Sequence, residues 1–478
     1  MRRKEWGNVF GLGSRTPIAI TLLVKRPNKT GQASISYHDI GDYIPQNDKL
    51  KLIKELGNIC NPAIELSSIT PNKDSDWVNQ RDGLFETFVP IEPQTKYDLA
   101  SKSFFVINSR GLETARDSWV YNSSKKTLTD NVKSMIEFYT SQIGIPQDTI
   151  SYDASKISWS SSLLSHQVRG TQIVFQSQYL TNGIYRPFYK QTLYFGKYLI
   201  HRRGQWDDFF PTPQSENKII AVSGLGGSKN HSVFISDHIM DLNCLDAGTQ
   251  CFPLYYYVKQ NIQRQGEFDF GDGKKSDGDY IRRDGISDFI LKRCRELNPK
   301  ITKEDIFYYV YGLLHSPDYH QRFSADLKKS LPHIPLPENY SIFRAFQNIG
   351  KKLADIHLNY ESYPMNQDVL IHGENSGNYH VEKIRFISKD DKRTIIFNDF
   401  IQIENVPLKA YDYVLNGKSA IEWVMERYAI TTDKASGIVN DPNQWSDNPR
   451  YILELLLRII QVSVDTVDLL SQLPHWEF

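Results

Sequence analysis

The most constraining feature of this chain is a nearly continuous apolar run close to its start. Residues 17–24 read Pro-Ile-Ala-Ile-Thr-Leu-Leu-Val and are followed at once by Lys25-Arg26-Pro27. An uninterrupted run of this length and β-branched content predicts a strand buried on both faces, as in a parallel or mixed sheet. Such a strand needs neighbours on both sides, and only 16 residues precede it. The chain is therefore expected to begin inside a domain.

The 478 residues exceed what one simple core organises, and at roughly 150 residues per domain they suggest two to four units. A hydrophobic fraction of 40% with 12% aromatics excludes wholesale disorder. The 56 Lys and Arg balance 56 Asp and Glu. Bulk electrostatic coating of nucleic acid is thereby excluded, although a local basic groove is not. Cys60, Cys244, Cys251 and Cys294 lack zinc-knuckle spacing and read as free, mostly buried thiols of a reduced compartment. The longest apolar stretch, Tyr451 to Leu473, is interrupted by Glu454, Arg458, Asp465 and Asp468, so it predicts a core-facing helix and no membrane contact. A soluble, cytoplasmic protein is expected.

Along the chain, residues 35–40 predict a short strand or turn, and 48–56 and 129–141 predict helices. Strand signals occur at 103–107, 219–222 and 233–236, the last two flanking a Gly224-Leu-Gly-Gly227 turn. Residues 265–285, rich in Gly and Asp, read as a solvated loop. Helices are expected at 303–314, 324–331 and 343–357, a hairpin at 379–386 and 394–403, and a largely helical tail from 420 to 473.

The strongest chemical signal lies between Ser161 and Trp206. It holds six basic residues, Arg169, Arg186, Lys190, Lys197, Arg202 and Arg203, and no acidic one, so the remainder of the chain is net acidic. Tyr179, Tyr185, Phe188, Tyr189, Tyr194 and Trp206 are interleaved with them. Cations position phosphates and aromatic planes stack on bases, which suits nucleic acid. A β-rich core with buried aromatics and solvated cations gives the same pattern, and that alternative stays open. Phe10-Gly-Leu-Gly13 is not followed by a helix and has no strand before it, as a cofactor loop requires. Gly224-Leu-Gly-Gly-Ser-Lys229 lacks phosphate-loop spacing, and no His-Glu-x-x-His or Ca²⁺ loop occurs. No catalytic, cofactor-binding or metal-binding residue is assigned.

Several motifs together resemble the C-terminal part of type ISP restriction–modification enzymes, single polypeptides that combine nuclease, helicase, adenine methyltransferase and target-recognition parts. Asn8-Val-Phe10-Gly with Ile18–Val24 is similar to the end of the methyltransferase domain. Trp77-Val-Asn-Gln-Arg-Asp82 and Ser109-Arg-Gly-Leu-Glu-Thr-Ala-Arg-Asp-Ser-Trp-Val-Tyr121 resemble the segments that follow it. Tyr185-Arg-Pro-Phe188, Cys251-Phe-Pro-Leu-Tyr255, Tyr308-Tyr-Val-Tyr-Gly-Leu-Leu-His-Ser-Pro317 and Lys434-Ala-Ser-Gly-Ile-Val-Asn-Asp-Pro-Asn443 resemble its specificity region. The family's Asn-Pro-Pro-Tyr motif, which holds a flipped adenine, is missing: the Asn-Pro pairs at Asn61, Asn298 and Asn448 continue differently. The cofactor glycine loop, helicase phosphate loop and nuclease carboxylates are missing too.

The resemblance implies an α/β remnant of a methyltransferase sheet, followed by an α+β target-recognition region with a helical C-terminal tail. The domains expected are 1–45, the methyltransferase remnant; 46–375, the specificity domain; and 376–478, a hairpin and helical lobe. The function implied is sequence-specific recognition of double-stranded DNA, presenting an adenine for S-adenosylmethionine-dependent methylation by a part outside this chain. S-adenosylmethionine, ATP and Mg²⁺ are expected only on upstream domains, and an upstream methyltransferase, helicase and nuclease polypeptide is an expected partner. The candidate DNA contacts are Arg116, Arg169, Tyr185, Arg186, Lys190, Lys197, His201, Arg202 and Arg203. The alternatives are half of a split adenine methyltransferase, or an inactive structural remnant; whether the chain is part of an enzyme stays open.

Overall fold

The computed structural model describes residues 9–10, 18–28, 30–31, 33–260, 276–277, 279–388 and 390–477. The run expected to form a buried strand does not form one. Residues 18–24 carry no strand pairing, and Ile20, Leu22, Leu23 and Val24 are exposed, Leu23 by 88%. Apolar side chains and β propensity do not suffice for a strand; its N–H and C=O groups need neighbours. Nothing among the described residues supplies them, so the methyltransferase-sheet remnant is not seen. Asn8 and Gly11 to Pro17 lie outside the described residues.

From residue 103 onward a mixed α/β body is built from several small sheets. In one, the hairpin Leu180–Arg186/Tyr189–Tyr194 is flanked by Ile239–Met240, parallel to its first strand, and by Tyr121–Asn122, antiparallel to its second. In the other, Ser109–Arg110, Gln250–Pro253, Ile219–Val222 and Val233–Ser236 run antiparallel in that order. Every residue of Tyr189–Tyr194 is buried. The helix Lys125–Ser141 packs on this strand, and the helix Ala420–Arg427 reaches it from the C-terminal part. The hairpin turn places Phe188 at φ 58°, an unfavourable conformation for a side chain of this size. Burial offsets it: the ring makes edge contacts with Phe234, Tyr360 and Tyr413 at 5.1–6.2 Å.

The larger core contains residues from Val106 to Val462 and crosses the 375–376 boundary suggested by the sequence. A second core gathers around the helices Lys303–Leu313 and Tyr340–Leu358. These two helices touch at Gly312 and Gly350, where a Cβ on Gly350 would lie 2.0 Å from the Tyr308 carbonyl oxygen and one on Gly312 2.2 Å from that of Phe346. Only glycine permits this approach. The apolar stripe of Tyr451–Leu470 packs on Tyr340–Leu358, and His357 joins three helices: Nδ1 meets the Tyr311 hydroxyl at 2.7 Å and Nε2 the Thr466 hydroxyl at 2.9 Å. Thr302–Asp305 and Ser419–Glu422 form capping boxes at helix starts.

The helix boundaries expected at 48–56, 129–141, 303–314 and 343–357 match Gln46–Leu56, Lys125–Ser141, Lys303–Leu313 and Tyr340–Leu358. Two further expectations fail. Residues 103–107 are buried without forming a strand, because only Phe105 bridges, to Ile286. Residues 324–331 are turns; the helix lies earlier, at Pro317–Arg322, started by the Ser316 cap and proline at its first position. Of the loop expected at 265–285, residues 265–275 and 278 lie outside the described residues, while Tyr280–Asp284 is a strand paired with Tyr255–Lys259. Cys244, Cys251 and Cys294 are buried thiols and Cys60 is exposed. Among the described residues no helix is long and apolar enough to cross a membrane.

Gly350→Ala is expected to destabilise the protein by about 1–3 kcal/mol or more, because backbone rather than a flexible side chain must move. Urea denaturation checks this, and a loss below ~0.5 kcal/mol would contradict the close helix crossing. A second expectation concerns acid. His357 is buried and His231, His315 and His320 are mostly buried, and desolvation lowers the pKa of each, that of His315 to about 4. Below pH ~6.5 the unfolded chain binds protons that the folded chain refuses, so stability falls as pH drops from 6.5 toward 4, by about 3 kcal/mol for His315 alone. Denaturation midpoints between pH 7.5 and 5 should show this slope, and His315→Gln should flatten it.

Candidate nucleic-acid interface

The hairpin that carries the basic, aromatic stripe sits mostly inside the protein, and this decides what each cation does. The Arg186 side chain is 14% exposed and its Nη1 donates to Asp241 Oδ1 at 2.7 Å, while the guanidinium lies 4.0 Å over the Tyr185 ring. Burial and the neighbouring Asp117 push the Asp241 carboxyl up to about 7, against the pull of Arg186. Tyr185 is half-buried and donates from its hydroxyl to Asp117 at 3.2 Å. Lys190 is buried, with Nζ 2.6 Å from Glu361 Oε2. Arg203 pairs with Asp207 and stacks 3.5 Å over Phe195. These groups are committed to partners within the chain.

Arg116 is the most deeply buried of the candidates, at 2% exposure. Its guanidinium donates to the carbonyl oxygens of Ser158, Thr114 and Leu199 and to the Ser160 hydroxyl. No carboxylate among the described residues answers it, and burial lowers its pKa to about 10. It ties residues 114, 158–160 and 199 together, which is a structural task.

Three of the candidate cations face solvent. Arg202 is 65% exposed at the side chain and lies 3.5 Å from Glu113, to which its backbone also bridges. Arg169 follows the helix Ser161–Val168, and Lys197 lies beside the Tyr198 ring at 5.6 Å. His201 is half-buried: Nδ1 meets the Ser162 hydroxyl at 2.9 Å and Nε2 lies 3.9 Å from Glu113. The structure thus brings Arg202 and His201 together around Glu113. It adds exposed Arg110, whose strand adjoins the 203–206 loop through Gln205 N donating to Ser109 Oγ and Trp206 Nε1 to the Arg110 carbonyl, both at 3.0 Å. Sequence reasoning missed Arg110 because a lone arginine in a strand of two residues carries no periodic signal.

Beside this group opens a cavity of about 780 Å³. Its walls come from residues 112–122, the hairpin at Tyr185 and Tyr189, the 241–243 loop and the segment 426–440. Ala115 in the first wall has φ 58°, held there while its carbonyl accepts from the Ser158 hydroxyl at 3.0 Å. Among the described residues no group of His, Cys, Asp and Glu is placed to hold a metal ion.

A mixed α/β body with exposed arginines beside a cleft does not by itself name a function, and comparison identifies the family. The model of the type ISP C-terminal specificity domain matches residues 103–455, and the chain belongs to that family. It is similar over 99% of its length, at 36% identity and a TM-score of 0.84, to a nuclease-deletion mutant of the type ISP restriction–modification enzyme LlaGI in complex with a DNA substrate mimic. The ATP-dependent type ISP enzyme LlaBIII bound to DNA matches 95% of the chain at 34% identity with a TM-score of 0.82. A DrdV–DNA complex matches all of it at 26% identity and 0.81. The chain spans 42%, 28% and 46% of those three. No curated protein matches.

Arg186→Ala leaves the Asp241 carboxyl buried beside Asp117 without its cation, and should cost about 3–5 kcal/mol of stability at pH 8. Without Arg186 the folded-state pKa of Asp241 rises further above that of the unfolded chain, so the variant regains stability as pH falls and loses it as pH rises. Urea denaturation at pH 6 and pH 8 should show the smaller loss at pH 6; equal losses would contradict the buried ion pair.

Proposed function

We propose that this chain recognises a double-stranded DNA target within a type ISP restriction–modification system and positions an adenine for S-adenosylmethionine-dependent methylation by a part outside it. The observation that carries this reading is the likeness over 99% of the chain to LlaGI in complex with a DNA substrate mimic. The exposed Arg169, Lys197, Arg202 and Arg110, with His201, are the side chains placed to meet phosphate or a base edge. Arg116, Arg186 and Lys190 support the surface from beneath, and Tyr185 holds Asp117. A guanine read bidentately by one of the exposed arginines contributes about 1–3 kcal/mol of discrimination, while phosphate contacts fix register. S-adenosylmethionine, ATP and Mg²⁺ belong to upstream domains in this reading.

One observation favours an additional role, completion of a methyltransferase by docking on a separate upstream polypeptide. The apolar residues 18–24 are exposed and belong to no strand or helix, and an unpaired apolar segment of this kind is an association site.

The test is binding of a fluorescent duplex to the chain at increasing salt. A plot of log affinity against log salt should fall with a slope near −0.9 per phosphate contact, and Arg202→Ala should reduce that slope by about one if it meets phosphate. Selective loss on one sequence would instead show a base contact. No binding at low salt would overturn the reading, and an unchanged affinity would remove Arg202 from the interface.

A further inference from the structure

Arg169 and Lys197 differ from the other cations of the stripe. Arg186, Lys190, Arg202 and Arg203 each face a carboxylate. Arg169 and Lys197 are exposed, and among the described residues neither has such a partner. Both lie around His166, in the last turn of the helix Ser161–Val168. The half-buried imidazole stands edge-on to the Tyr198 ring at 4.9 Å, and Lys197 Nζ lies 5.6 Å from the same ring. Among the described residues the imidazole has no hydrogen-bond partner.

The groups that act on His166 come from three places in the fold. Arg169 closes its own helix, Arg116 is buried just ahead of the helix Asp117–Val120, and Lys197 with Tyr198 follows the strand Tyr189–Tyr194. The three charges are all positive, and no carboxylate among the described residues acts on the ring. Burial first, and then Arg169, Arg116 and Lys197, hold the imidazole below the usual histidine range. A cluster of cations without counter-charge leaves a positive field that an anion relieves. The negative end of the helix does not cancel it, because its last carbonyls are taken. Ser165 accepts from the Arg169 N–H at 3.3 Å, and Gln167 and His166 accept from those of Gly170 and Thr171, both at 3.0 Å.

We propose that His166, Arg169 and Lys197 seat one phosphate of the DNA backbone, and that the charge on His166 ties the grip on DNA to pH. A phosphate oxygen among the three accepts from the imidazole and offsets the neighbouring cations, so the ring takes up a proton as the phosphate enters. Binding that takes up a proton strengthens as pH falls. Phosphodiesters keep their single charge near neutral pH, so the titration belongs to the protein. Spacing supports DNA as the source of the phosphate. Ser162, in the first turn of the same helix, meets His201 at 2.9 Å, beside Arg202. From Ser162 to Arg169 is seven residues, which at about 1.5 Å each span about 10 Å. One duplex, with a major groove about 12 Å wide, meets both groups. The inference rests on the DNA-binding reading above and adds its regulation by protons.

The experiment measures the anisotropy of a fluorescent duplex with the whole chain at pH 6, 7 and 8 and fixed ionic strength. Affinity should rise about tenfold from pH 8 to pH 6. His166→Gln should abolish that rise, with circular dichroism showing the wild-type fold. In the wild type, NMR of the histidine rings should show His166 titrating at higher pH with duplex than without it. A flat affinity between pH 8 and pH 6, a rise that survives His166→Gln, or one removed by His201→Gln instead would overturn the proposal. Displacement of the duplex by inorganic phosphate at matched ionic strength would also overturn it, by assigning the seat to a free anion. Salt-dependent binding with no pH dependence strikes this inference alone, whereas no duplex binding at any pH overturns the DNA-binding reading and this inference with it.

Discussion

The complete burial of Tyr189–Tyr194 is the constraint on which the rest of the body depends. A strand enclosed on both faces must satisfy every polar group it carries, since an unpaired one is far from water. The backbone does so in the ladder with Leu180–Arg186 and Tyr121–Asn122. The side chains recruit sequence-distant partners. The Tyr189 hydroxyl meets Ser123 at 3.1 Å and Asn440 at 2.8 Å, Gln191 donates to Asn440 at 2.9 Å, and Lys190 reaches Glu361. One strand thereby fixes residues near 122, 361 and 440 against each other, and the cavity walls follow from that.

The same constraint separates supporting cations from available ones. Cations of the stripe face opposite environments: Lys190 is inside and paired, Arg202 is outside and pairs with Glu113. Buried charges need partners because desolvation outweighs any single weak contact, whereas an exposed arginine keeps most of its hydration and can exchange Glu113 for another anion. The buried set thus shapes the surface, and the exposed set is left to meet a ligand.

Much of the helical organisation was legible in the sequence. Helical periodicity located Lys125–Ser141, Lys303–Leu313 and Tyr340–Leu358 to within a few residues, because that signal is local. The interruption of Tyr451–Leu470 by charges gave a core-facing helix correctly for the same reason. The strand expected at 17–24 was not found over residues 18–24, because a strand is completed by neighbours and its own pattern cannot supply them. The candidate site was legible as a region but not residue by residue. Arg116 and Arg202 are both arginines in aromatic-rich segments, yet one is 2% exposed and the other has its side chain 65% exposed.

The sequence by itself determined the elements whose signals are contained in short windows, and through its ordered motifs it determined membership of the type ISP specificity family. Tertiary structure alone decided which cations are free, that Tyr121, Asp117 and Asp241 share one cavity, and that Gly312 meets Gly350. Residues 117, 121 and 241 are far apart along the chain, and no local pattern encodes their meeting. One sheet brings them together, with Ile239–Met240 and Tyr121–Asn122 at its two edges, and burial then sets their charge states and hydrogen bonds.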